Sequence, residues 1–281
     1  GKINKKISGG WQIAVEGEKN STVEATNIML ATGARAGQIP AMEADGDKIV
    51  TYRDAMVPKT MPKSLMVVGS GAIGIEFASF YNDMGSEVTI VEAEKNILPV
   101  EDTEISEYLE NLFIKRGIKV YKNSKLQNAL SYKNKVKVAI SNENKNLELT
   151  SDKLLLAIGI EGNIKGIGIE NLNINIKNGH IITNEFMETS KKSIFAIGDV
   201  AGSPWLAHKA SHEGILCVEK IAGVKNIHPI NKENIPSCTY CRPQIASVGL
   251  TETKALAKGI SINVGKFPFA GNGKAITLDD E

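Results

Sequence analysis

One stretch constrains the fold more than any other: a buried strand pattern that runs directly into three spaced glycines. Residues 65–68 form a short apolar run, and residues 69–74 follow it with the sequence Gly-Ser-Gly-Ala-Ile-Gly. Residues 72–84 carry apolar side chains at helical spacing, and Gly85 is placed to end that helix. A strand, a glycine loop and a helix in immediate succession are typical of a parallel α/β sheet that binds a dinucleotide.

Each glycine of this loop has a separate predicted role. Gly69 allows a tight turn, Gly71 lets the backbone approach a pyrophosphate, and Gly74 lets the helix pack closely against the strand. The first turn of the helix would offer free N–H groups and the positive end of the helix dipole to the phosphates. An ordinary glycine-rich turn is the alternative interpretation of the loop alone.

A second strand pattern predicts which nicotinamide dinucleotide binds. Residues 87–91 form the strand, and Glu92 follows it. This acid lies roughly 20 residues after the glycines, where a carboxylate accepts hydrogen bonds from the adenosine ribose. A 2′-phosphate would meet a like charge there, and residues 93–96 contain no Arg to compensate. We therefore expect NAD(H) rather than NADP(H).

The composition argues against several other classes of protein. Of the 281 residues, 42% are hydrophobic and 23% are charged, and the net charge is +1 at pH 7. No basic patch favours nucleic acid, and no apolar run reaches the roughly 18 residues of a membrane helix. No secretory signal pattern opens the sequence either, so we expect an intracellular protein. Three cysteines argue against a disulfide scaffold. Because the sequence lacks an initiator Met and stops just after a strand pattern, we also expect it to be part of a longer protein.

The rest of the chain alternates strand and helix patterns, which predicts an α/β fold. A helix is expected over residues 102–116, an antiparallel meander over residues 126–149, and a closing strand at residues 154–158 that ends at Gly159. Further strands are predicted at residues 12–15, 23–24, 27–31, 118–121, 193–197, 246–248 and 260–266, with helices at residues 205–221 and from Thr251. The helix over residues 205–221 is expected to face the core with Leu206, Ala210, Gly214, Cys217 and Ile221.

A second ligand site is indicated where the strand at residues 193–197 ends in Gly198 and Asp199. A carboxylate at the end of a parallel strand can accept hydrogen bonds from a polyol, and the following helix offers its positive end to an anionic ring. A bare strand-Gly-Asp pattern is common, so a flavin site needs support from the surrounding sequence.

Six segments, taken in order and spacing, resemble the two-dinucleotide disulfide reductases, the pyridine nucleotide-disulfide oxidoreductase family. They are IMLATGA at residues 28–34, GSGAIGIEFA at 69–78, LLLAIG at 154–159, IFAIGDVAGSPWLAHKASHEG at 194–214, IPSCTYCRPQIASVG at 235–249 and KFPFAGNGKA at 266–275. The resemblance implies an α/β protein with two Rossmann-like dinucleotide-binding domains, for FAD and NAD, plus the start of an α+β interface domain. The implied bounds are 1–47 for a partial FAD domain, 48–160 for the NAD domain, 161–233 for the continuation of the FAD domain and 234–281 for a truncated interface domain.

The resemblance also implies site residues. The FAD set is Thr32, Gly33, Ala34, Asp199, Trp205, Leu206, Ala207 and His208. The NAD set is Gly69, Ser70, Gly71, Ala72, Ile73, Gly74, Glu76, Glu92, Leu126 and Gly159. Glu76 is the implied catalytic residue, since it matches a glutamate that pairs with a lysine beside the flavin. No metal is expected.

In this family FAD accepts electrons from a dithiol through an active-site disulfide and passes them to NAD. The implied activity is the reoxidation of dihydrolipoyl groups on a 2-oxoacid dehydrogenase complex, by a homodimer in the bacterial cytoplasm or the mitochondrial matrix. The resemblance places the CxxxxC pair, the FAD glycine fingerprint and the lysine before Gly1, and the His-Glu acid/base pair beyond Glu281. We therefore expect the isolated chain to be inactive. Two departures concern subfamily detail: residues 160–163 replace an Arg- and Pro-containing stretch, and Trp205 stands where Met is frequent.

Three other features have simpler interpretations. Cys238 and Cys241 have the spacing of a redox pair or half a zinc site, but the matching family segment is structural, so inert cysteines are expected. His208 and His212 lie one helical turn apart, which is the spacing of two metal ligands, but no third ligand is evident and no metal site is expected here. Lys209 and Glu213 are expected to form a solvated helix pair worth a few tenths of a kcal/mol.

Alternative functions remain open at this point. A glutathione or mercuric reductase is disfavoured because Glu92 disfavours NADPH. A soluble transhydrogenase remains, as does a non-catalytic piece that binds NAD alone. The oxidation of dihydrolipoyl groups predicts a yellow protein with lipoamide-dependent NADH turnover. A non-catalytic piece predicts NAD binding without that turnover.

Overall fold

The computed structural model describes residues 1–40, 42–142 and 145–278. The chain forms two compact units: one contains Gly1–Gly37 and Ile160–Ile235, and the other contains Gln38–Gly159 and the residues from Pro236 onward. We refer to them as the split unit and the central unit. The assignment of these segments to FAD, NAD and interface domains stays a prediction.

The described strands and helices are as follows. The strands are β1 (Lys2–Ile7), β2 (Gly10–Val15), β3 (Ser21–Ala25), β4 (Ile28–Leu30), β5 (Ala34–Ala36), β6 (Ile49–Val50), β7 (Ser64–Val68), β8 (Glu87–Val91), β9 (Lys119–Tyr121), β10 (Ser124–Tyr132), β11 (Lys135–Asn142), β12 (Lys145–Ser151), β13 (Lys153–Leu156), β14 (Ile160–Gly162), β15 (Ile176–Lys177), β16 (His180–Ile181), β17 (Ile194–Ala196), β18 (Ser237–Thr239) and β19 (Ile245–Ser247). The α-helices are α1 (Tyr52–Met56), α2 (Ala72–Asp83), α3 (Thr103–Lys115), α4 (Ala207–Ala222), α5 (Glu252–Ala257) and α6 (Gly273–Leu278), and short 3-10 turns span Gly198–Ala201, Lys232–Asn234 and Phe269–Gly271.

The central unit is built on a five-stranded sheet in the order β6-β13-β7-β8-β9, in which all neighbours run parallel. The chain winds outward from β7 through β8 to β9 and then returns to the other side of β7 to form β13. The strand order therefore reverses between β7 and β13. In open α/β sheets, ligands bind at the carboxyl ends of the strands beside such a reversal.

Both faces of this sheet are covered, each by a different kind of layer. Leu65 and Val67 of β7 pack with α2 and α3 in one buried cluster. Met66 and Val68, which point the other way, pack against the antiparallel meander β10-β11-β12 in a second cluster. Alternate residues of a strand point to opposite faces, so a strand with both faces covered must be apolar throughout.

The split unit holds smaller sheets. The meander β1-β2-β3 is antiparallel, β4 pairs in parallel with β17, and β5 pairs with β14 in antiparallel register. Its first core cluster includes Trp11, Leu30 and Ile194. The second joins Phe195 of β17 to Leu216 and Cys217 of α4. The strand β17, which precedes Asp199, is thus buried from both sides.

Most predicted elements are confirmed, with small shifts of their ends. The helix predicted at residues 102–116 is α3, and Gly117 follows it with φ 86°. The predicted strand at residues 260–266 is wrong, because this segment has no regular structure and its residues are mostly exposed. The strand β1 was not predicted, since its Lys-rich sequence gives no apolar alternation. Within the described part of the chain, no helix combines the length and apolar character needed to cross a membrane.

The predicted buried face of α4 is only partly correct, since Cys217 is fully buried and Ala210 and Gly214 are half-buried. The helix begins at Ala207, and its buried residues are Lys209, Glu213, Leu216 and Cys217. Ile221, predicted to face the core, is 38% exposed. The core-facing side therefore includes two charged residues that a hydrophobic pattern places outside.

Candidate dinucleotide-binding sites

The loop after β7 has two glycines that no other residue could replace without movement. Gly69 has φ 93°, and a Cβ added to it would lie 2.4 Å from the carbonyl oxygen of Ala157. A Cβ on Gly74 would lie 2.0 Å from the carbonyl oxygen of Gly69. Gly69 thus permits the close approach of β7 to the end of β13, and Gly74 permits the close approach of α2 to the loop.

The middle glycine has the opposite environment. A Cβ on Gly71 would meet no atom within 4 Å, and the backbone there is extended with φ −66°. Gly71 is the N-cap residue of α2, which has no side-chain cap and no acidic residue in its first turn. The exposed end of the helix therefore has both open space and uncompensated positive potential, a combination that suits an anionic group such as a pyrophosphate.

Glu92 is tied to the same loop. Its carboxylate accepts hydrogen bonds from the backbone N–H of Ser70 at 2.7 Å, from the Ser70 hydroxyl, and from the backbone N–H of Glu94 at 2.8 Å. Glu92 is 7% exposed and Ser70 is fully buried. The predicted ribose-binding acid is thus held in a fixed direction by the glycine loop. The Ser70 partner was not foreseen, although a hydroxyl inside a fingerprint loop is a usable signal.

The remaining residues of the NAD set lie on different elements. Glu76, in the second turn of α2, is half-buried and accepts a hydrogen bond from the backbone N–H of Tyr240 at 2.8 Å. Leu126 lies in β10 and packs at the edge of the meander cluster. Gly159 follows β13 with φ 104° and has no atom within 4 Å of an added Cβ. The structure brings the loop, Glu92 and the end of β13 together around one sheet edge.

In the split unit, Asp199 lies in the 3-10 turn that directly follows β17. The turn begins at Gly198, which has φ 69°, and Asp199 is half-buried. The carboxylate of Asp199 accepts no hydrogen bond from another side chain or amide within the described residues. A half-buried acid without a protein donor at a strand end suits a ligand that brings hydroxyl groups.

The turn after β4 is fixed by Asn163. The Thr32 hydroxyl donates to the carbonyl oxygen of Asn163 at 2.8 Å, while the Asn163 amide donates to that of Thr32 at 2.9 Å. The backbone N–H of Asn163 donates to Gly33 at 2.9 Å. Gly33 has φ 67° and open space around an added Cβ, and Ala34 begins β5. Asn163 belongs to residues 160–163, which differ from the family's Arg- and Pro-containing stretch. This segment therefore supplies the hydrogen-bond partner of the turn at Thr32 and Gly33.

The prediction that Lys209 and Glu213 form a solvated pair is wrong. The two residues are 2% and 3% exposed, and Lys209 Nζ lies 3.1 Å from Glu213 Oε1. Glu213 Oε2 also accepts a hydrogen bond from the Gly198 N–H at 2.7 Å. The pair is buried because its charged ends reach the turn that carries Asp199, and partners that are distant in sequence are not visible in a helical pattern.

Trp205 forms a pair with a histidine that the sequence did not single out. The indole N–H donates to His180 Nε2 at 3.3 Å, and the rings stack with centroids 5.6 Å apart. His180 Nδ1 lies 2.8 Å from the carbonyl oxygen of Asn178, which fixes the proton on Nδ1. Leu206 is the N-cap of α4, and Ala207 and His208 form its exposed start. Trp205 itself is 43% exposed.

The three cysteines are all free thiols. Cys238 lies in β18, and Cys241 is buried with its thiol 2.9 Å from the carbonyl oxygen of Pro243. Burial raises the pKa of the Cys241 thiol to about 12. This pKa is the opposite of what an activated redox thiol requires. Among the described residues, no three His, Cys, Asp or Glu side chains cluster as metal ligands would.

Comparisons with known proteins identify the family that this chain resembles along most of its length. The family model described as pyridine nucleotide-disulphide oxidoreductase matches residues 3–214, and the dimerisation domain of the same family matches residues 235–281. Dihydrolipoyl dehydrogenase of Rhizobium etli is 47% identical over 268 residues, which are 95% of this chain and 55% of that protein. Dihydrolipoyl dehydrogenase of Zymomonas mobilis is 48% identical over 275 residues, covering 96% of this chain and 59% of that protein.

Solved structures give the same fold. A crystal structure of LpdA from Mycobacterium tuberculosis has a TM-score of 0.85 with 26% identity, covering 96% of this chain and 61% of that one. The HOCl-induced flavoprotein disulfide reductase RclA from Escherichia coli, in its Cu(II) complex, has a TM-score of 0.86 with 25% identity, covering 100% and 63%. These likenesses confirm the predicted α/β class. The chain spans a little over half the length of the curated relatives that it matches. Because the family model extends over most of the sequence, the chain belongs to the pyridine nucleotide-disulphide oxidoreductase family.

Proposed function

We propose that this chain is the NAD- and FAD-binding part of a dihydrolipoyl dehydrogenase. The observation that carries the proposal is the identity of 47% and 48%, over 95% and 96% of the chain, with curated proteins of that name. FAD, when bound, would take up the electrons of a dithiol through a redox-active disulfide and transfer them to NAD. The residues of this chain would bind and orient the two dinucleotides.

The central unit supports the NAD assignment. Gly71 and the uncapped start of α2 offer the pyrophosphate open space and positive potential. Glu92, held by Ser70, would accept the ribose hydroxyls and repel a 2′-phosphate. Glu76 would lie on the nicotinamide side of this site, as its family counterpart does. The Tyr240 N–H holds one of its carboxylate oxygens and would set the direction of the other.

The split unit supports the FAD assignment. Asp199 has the half-buried, donor-free carboxylate that a polyol chain requires. Gly33, in the turn fixed by Thr32, leaves open space for a ligand. The start of α4, at Leu206, Ala207 and His208, would direct backbone groups and the positive end of a helix toward an anionic ring.

The partners follow from the same proposal. A dihydrolipoyl domain of a 2-oxoacid dehydrogenase complex would supply the dithiol, in the bacterial cytoplasm or the mitochondrial matrix. The match of residues 235–281 to the family's dimerisation domain supports a homodimer. This segment exposes large apolar side chains, including Tyr240 at 70% and Phe267 at 68%, which is consistent with burial against further protein.

The first experiment tests the reaction. The full natural protein that carries this chain is purified and assayed for bound flavin and for NAD reduction by dihydrolipoamide. We expect a flavin spectrum and dihydrolipoamide-dependent NADH formation. Hydride exchange between NADPH and NAD without dihydrolipoamide turnover would favour a transhydrogenase, and NAD binding without flavin would favour a non-catalytic protein; either result would overturn the proposal.

The second experiment tests nucleotide choice with a matched pair of variants. Glu92→Gln removes the buried charge, whereas Glu94→Gln removes an exposed charge two residues away, and the only Glu94 atom hydrogen-bonded to Glu92 in the described chain is its backbone N–H. We expect Glu92→Gln to raise kcat/KM for NADP relative to NAD by about tenfold, equivalent to about 1.4 kcal/mol. Glu94→Gln should leave the ratio within about twofold. Equal effects of the two variants would contradict the role of Glu92.

A further inference from the structure

The ion pair of Lys209 and Glu213 is the most deeply buried charge pair in the described part of the chain. Their side chains are 1% and 4% exposed, against 14% or more for either partner in the other ion pairs found there. Burial of two charges removes their hydration, and the attraction between them does little more than offset that loss. Stability alone is therefore a poor explanation for the pair.

Both charged groups contact the same short turn. Glu213 Oε2 accepts the Gly198 N–H at 2.7 Å, and Lys209 Nζ lies 3.3 Å from the Gly198 carbonyl oxygen and 2.8 Å from that of Gly202. The turn is therefore held at its first residue from two directions, and the chain is held again at Gly202, the residue that follows the turn. Asp199 and Val200 lie between these points, and the Val200 side chain is fully buried below the turn.

The geometry points to Lys209 and Glu213 as positioning residues for Asp199. They do not contact the proposed ligand; they fix the backbone from which the Asp199 carboxylate projects, and so fix the direction in which it meets the hydroxyl groups of the FAD polyol chain. A binding group has to be held to within about 0.5 Å to be effective, which requires a rigid supporting layer. This inference rests on the proposed FAD site.

The pair also explains why the turn does not need a side-chain cap. Gly198 has φ 69°, and its N–H and its carbonyl oxygen both meet buried charged side chains of α4. An unpaired buried backbone group is strongly unfavourable. Glu213 satisfies the donor and Lys209 the acceptor, and each charge in turn satisfies the other at 3.1 Å. Removal of either side chain leaves both a buried charge and a loosened turn.

The test compares four single variants of the full natural protein. Lys209→Met removes the clamp, and Asp199→Asn weakens the proposed ligand contact. Glu213→Ala removes the acceptor for the Gly198 N–H, whereas Glu213→Gln retains an oxygen there. The control is Leu216→Ala, which removes a buried side chain of the same helix whose core cluster, around Phe195, includes no residue of the turn. The readouts are the Kd of FAD for the flavin-free protein, hydrogen exchange of the amides at residues 198–202, and Tm.

We expect Lys209→Met and Glu213→Ala to raise the Kd of FAD by about tenfold or more, as loss of a supporting partner commonly does. Glu213→Ala should also abolish protection of the Gly198 amide, which donates to Glu213, whereas Glu213→Gln should retain part of both the affinity and the protection. Lys209→Met should lower the protection of residues 198–202 without abolishing that of the Gly198 amide, since Lys209 contacts the carbonyl oxygens of Gly198 and Gly202. Asp199→Asn should raise the Kd while the protection stays. Leu216→Ala should lower Tm and leave the Kd within about twofold. If Lys209→Met does not fold, the Kd values of Glu213→Ala and Glu213→Gln test the positioning role instead. Equal Kd values for these two variants would contradict it.

A double-variant cycle gives the sharpest outcome. If the pair acts through Asp199, adding Asp199→Asn to Lys209→Met should raise the Kd little further, because coupled positions are not additive. Independent, multiplying effects would overturn the positioning role, as would a Lys209→Met Kd that changes no more than that of Leu216→Ala. A protein that binds no FAD, or an Asp199→Asn variant with an unchanged Kd, would overturn the proposed FAD site itself.

Discussion

The substitution Gly74→Ala should destabilise the central unit clearly more than Gly71→Ala does. The two positions lie three residues apart in the same loop and helix start, and both substitutions add one methyl group. At Gly74 the new Cβ would lie 2.0 Å from the carbonyl oxygen of Gly69 and 3.3 Å from a Val67 methyl group. Real Cβ contacts essentially never fall below 3.0 Å, so α2 must move away from the loop by about 1 Å.

The size of the effect follows from what has to move. The obstructing atom belongs to the backbone, which cannot swing away as a flexible side chain could. Overpacking of this kind costs about 3 kcal/mol at the upper end of its usual range. Alanine is intrinsically favoured over glycine inside a helix by about 1 kcal/mol, which offsets part of the loss. We therefore expect Gly74→Ala to lower the free energy of unfolding by about 2 kcal/mol.

Gly71→Ala provides the matched control for stability and a test of the ligand site. Its Cβ would enter open space, so the free energy of unfolding should fall by less than about 1 kcal/mol, the usual difference between Gly and Ala at an N-cap. The same methyl would occupy the place proposed for the NAD pyrophosphate. We expect the Kd of NAD to rise by at least about tenfold, or about 1.4 kcal/mol.

Urea denaturation followed by far-UV circular dichroism measures the stability of both variants, and calorimetric titration measures NAD binding. A Gly74→Ala protein as stable as the unsubstituted one would refute the close packing of α2 against the loop. A Gly71→Ala protein that binds NAD with unchanged affinity would refute the placement of the pyrophosphate over Gly71. The two outcomes are independent, since one concerns the fold and the other the ligand.

Two further predictions concern titratable groups. Burial raises the pKa of the Cys217 thiol to about 11 and that of the Cys241 thiol to about 12. At pH 8 iodoacetamide should therefore label the half-buried Cys238 first, which peptide mass spectrometry can measure. Equal labelling of Cys241 would contradict its burial. Although burial alone would raise the pKa of Asp45, hydrogen bonds from three backbone amides and from Ser131 lower it below 3.8. This contribution to stability is present above that pH and is lost as the pH falls through the lowered value, so the difference in urea midpoint between the unsubstituted protein and Asp45→Asn should shrink from pH 7 to pH 3.

The central unit could be predicted well because its sequence signals are local. The apolar run of β7, the glycine loop and the acid after β8 are each consecutive along the chain, and backbone sterics at Gly69 and Gly74 dictate the residue type. The Lys209 and Glu213 pair could not be predicted, because its partners lie in a turn that only the folded chain brings close. Charged residues in a helical pattern normally indicate an exposed face, so the predicted buried face of α4 left out Lys209 and Glu213.

The segment at residues 260–266 fails for a different reason. Its alternation of Ile and Val with polar residues is typical of a half-buried strand, but such a pattern indicates a strand only where a neighbouring strand pairs with it. Within the described residues this segment has no strand partner. A helix forms its hydrogen bonds within its own segment, whereas a strand needs a partner strand elsewhere in the chain. Sequence patterns therefore predict helices such as α3 more reliably than they predict strands.

The two-sided burial of β7 determines how substitutions in it should combine. Met66 and Val67 are adjacent in sequence, yet each side chain belongs to a different cluster on a different face of the sheet. Their side chains share no buried neighbours, so truncations of the two residues should be energetically additive. Val67 and Ile75 are distant in sequence but lie in one cluster, and their truncations should be coupled. In this strand, distance along the chain is therefore a poor guide to epistasis, and the face of the sheet is a good one.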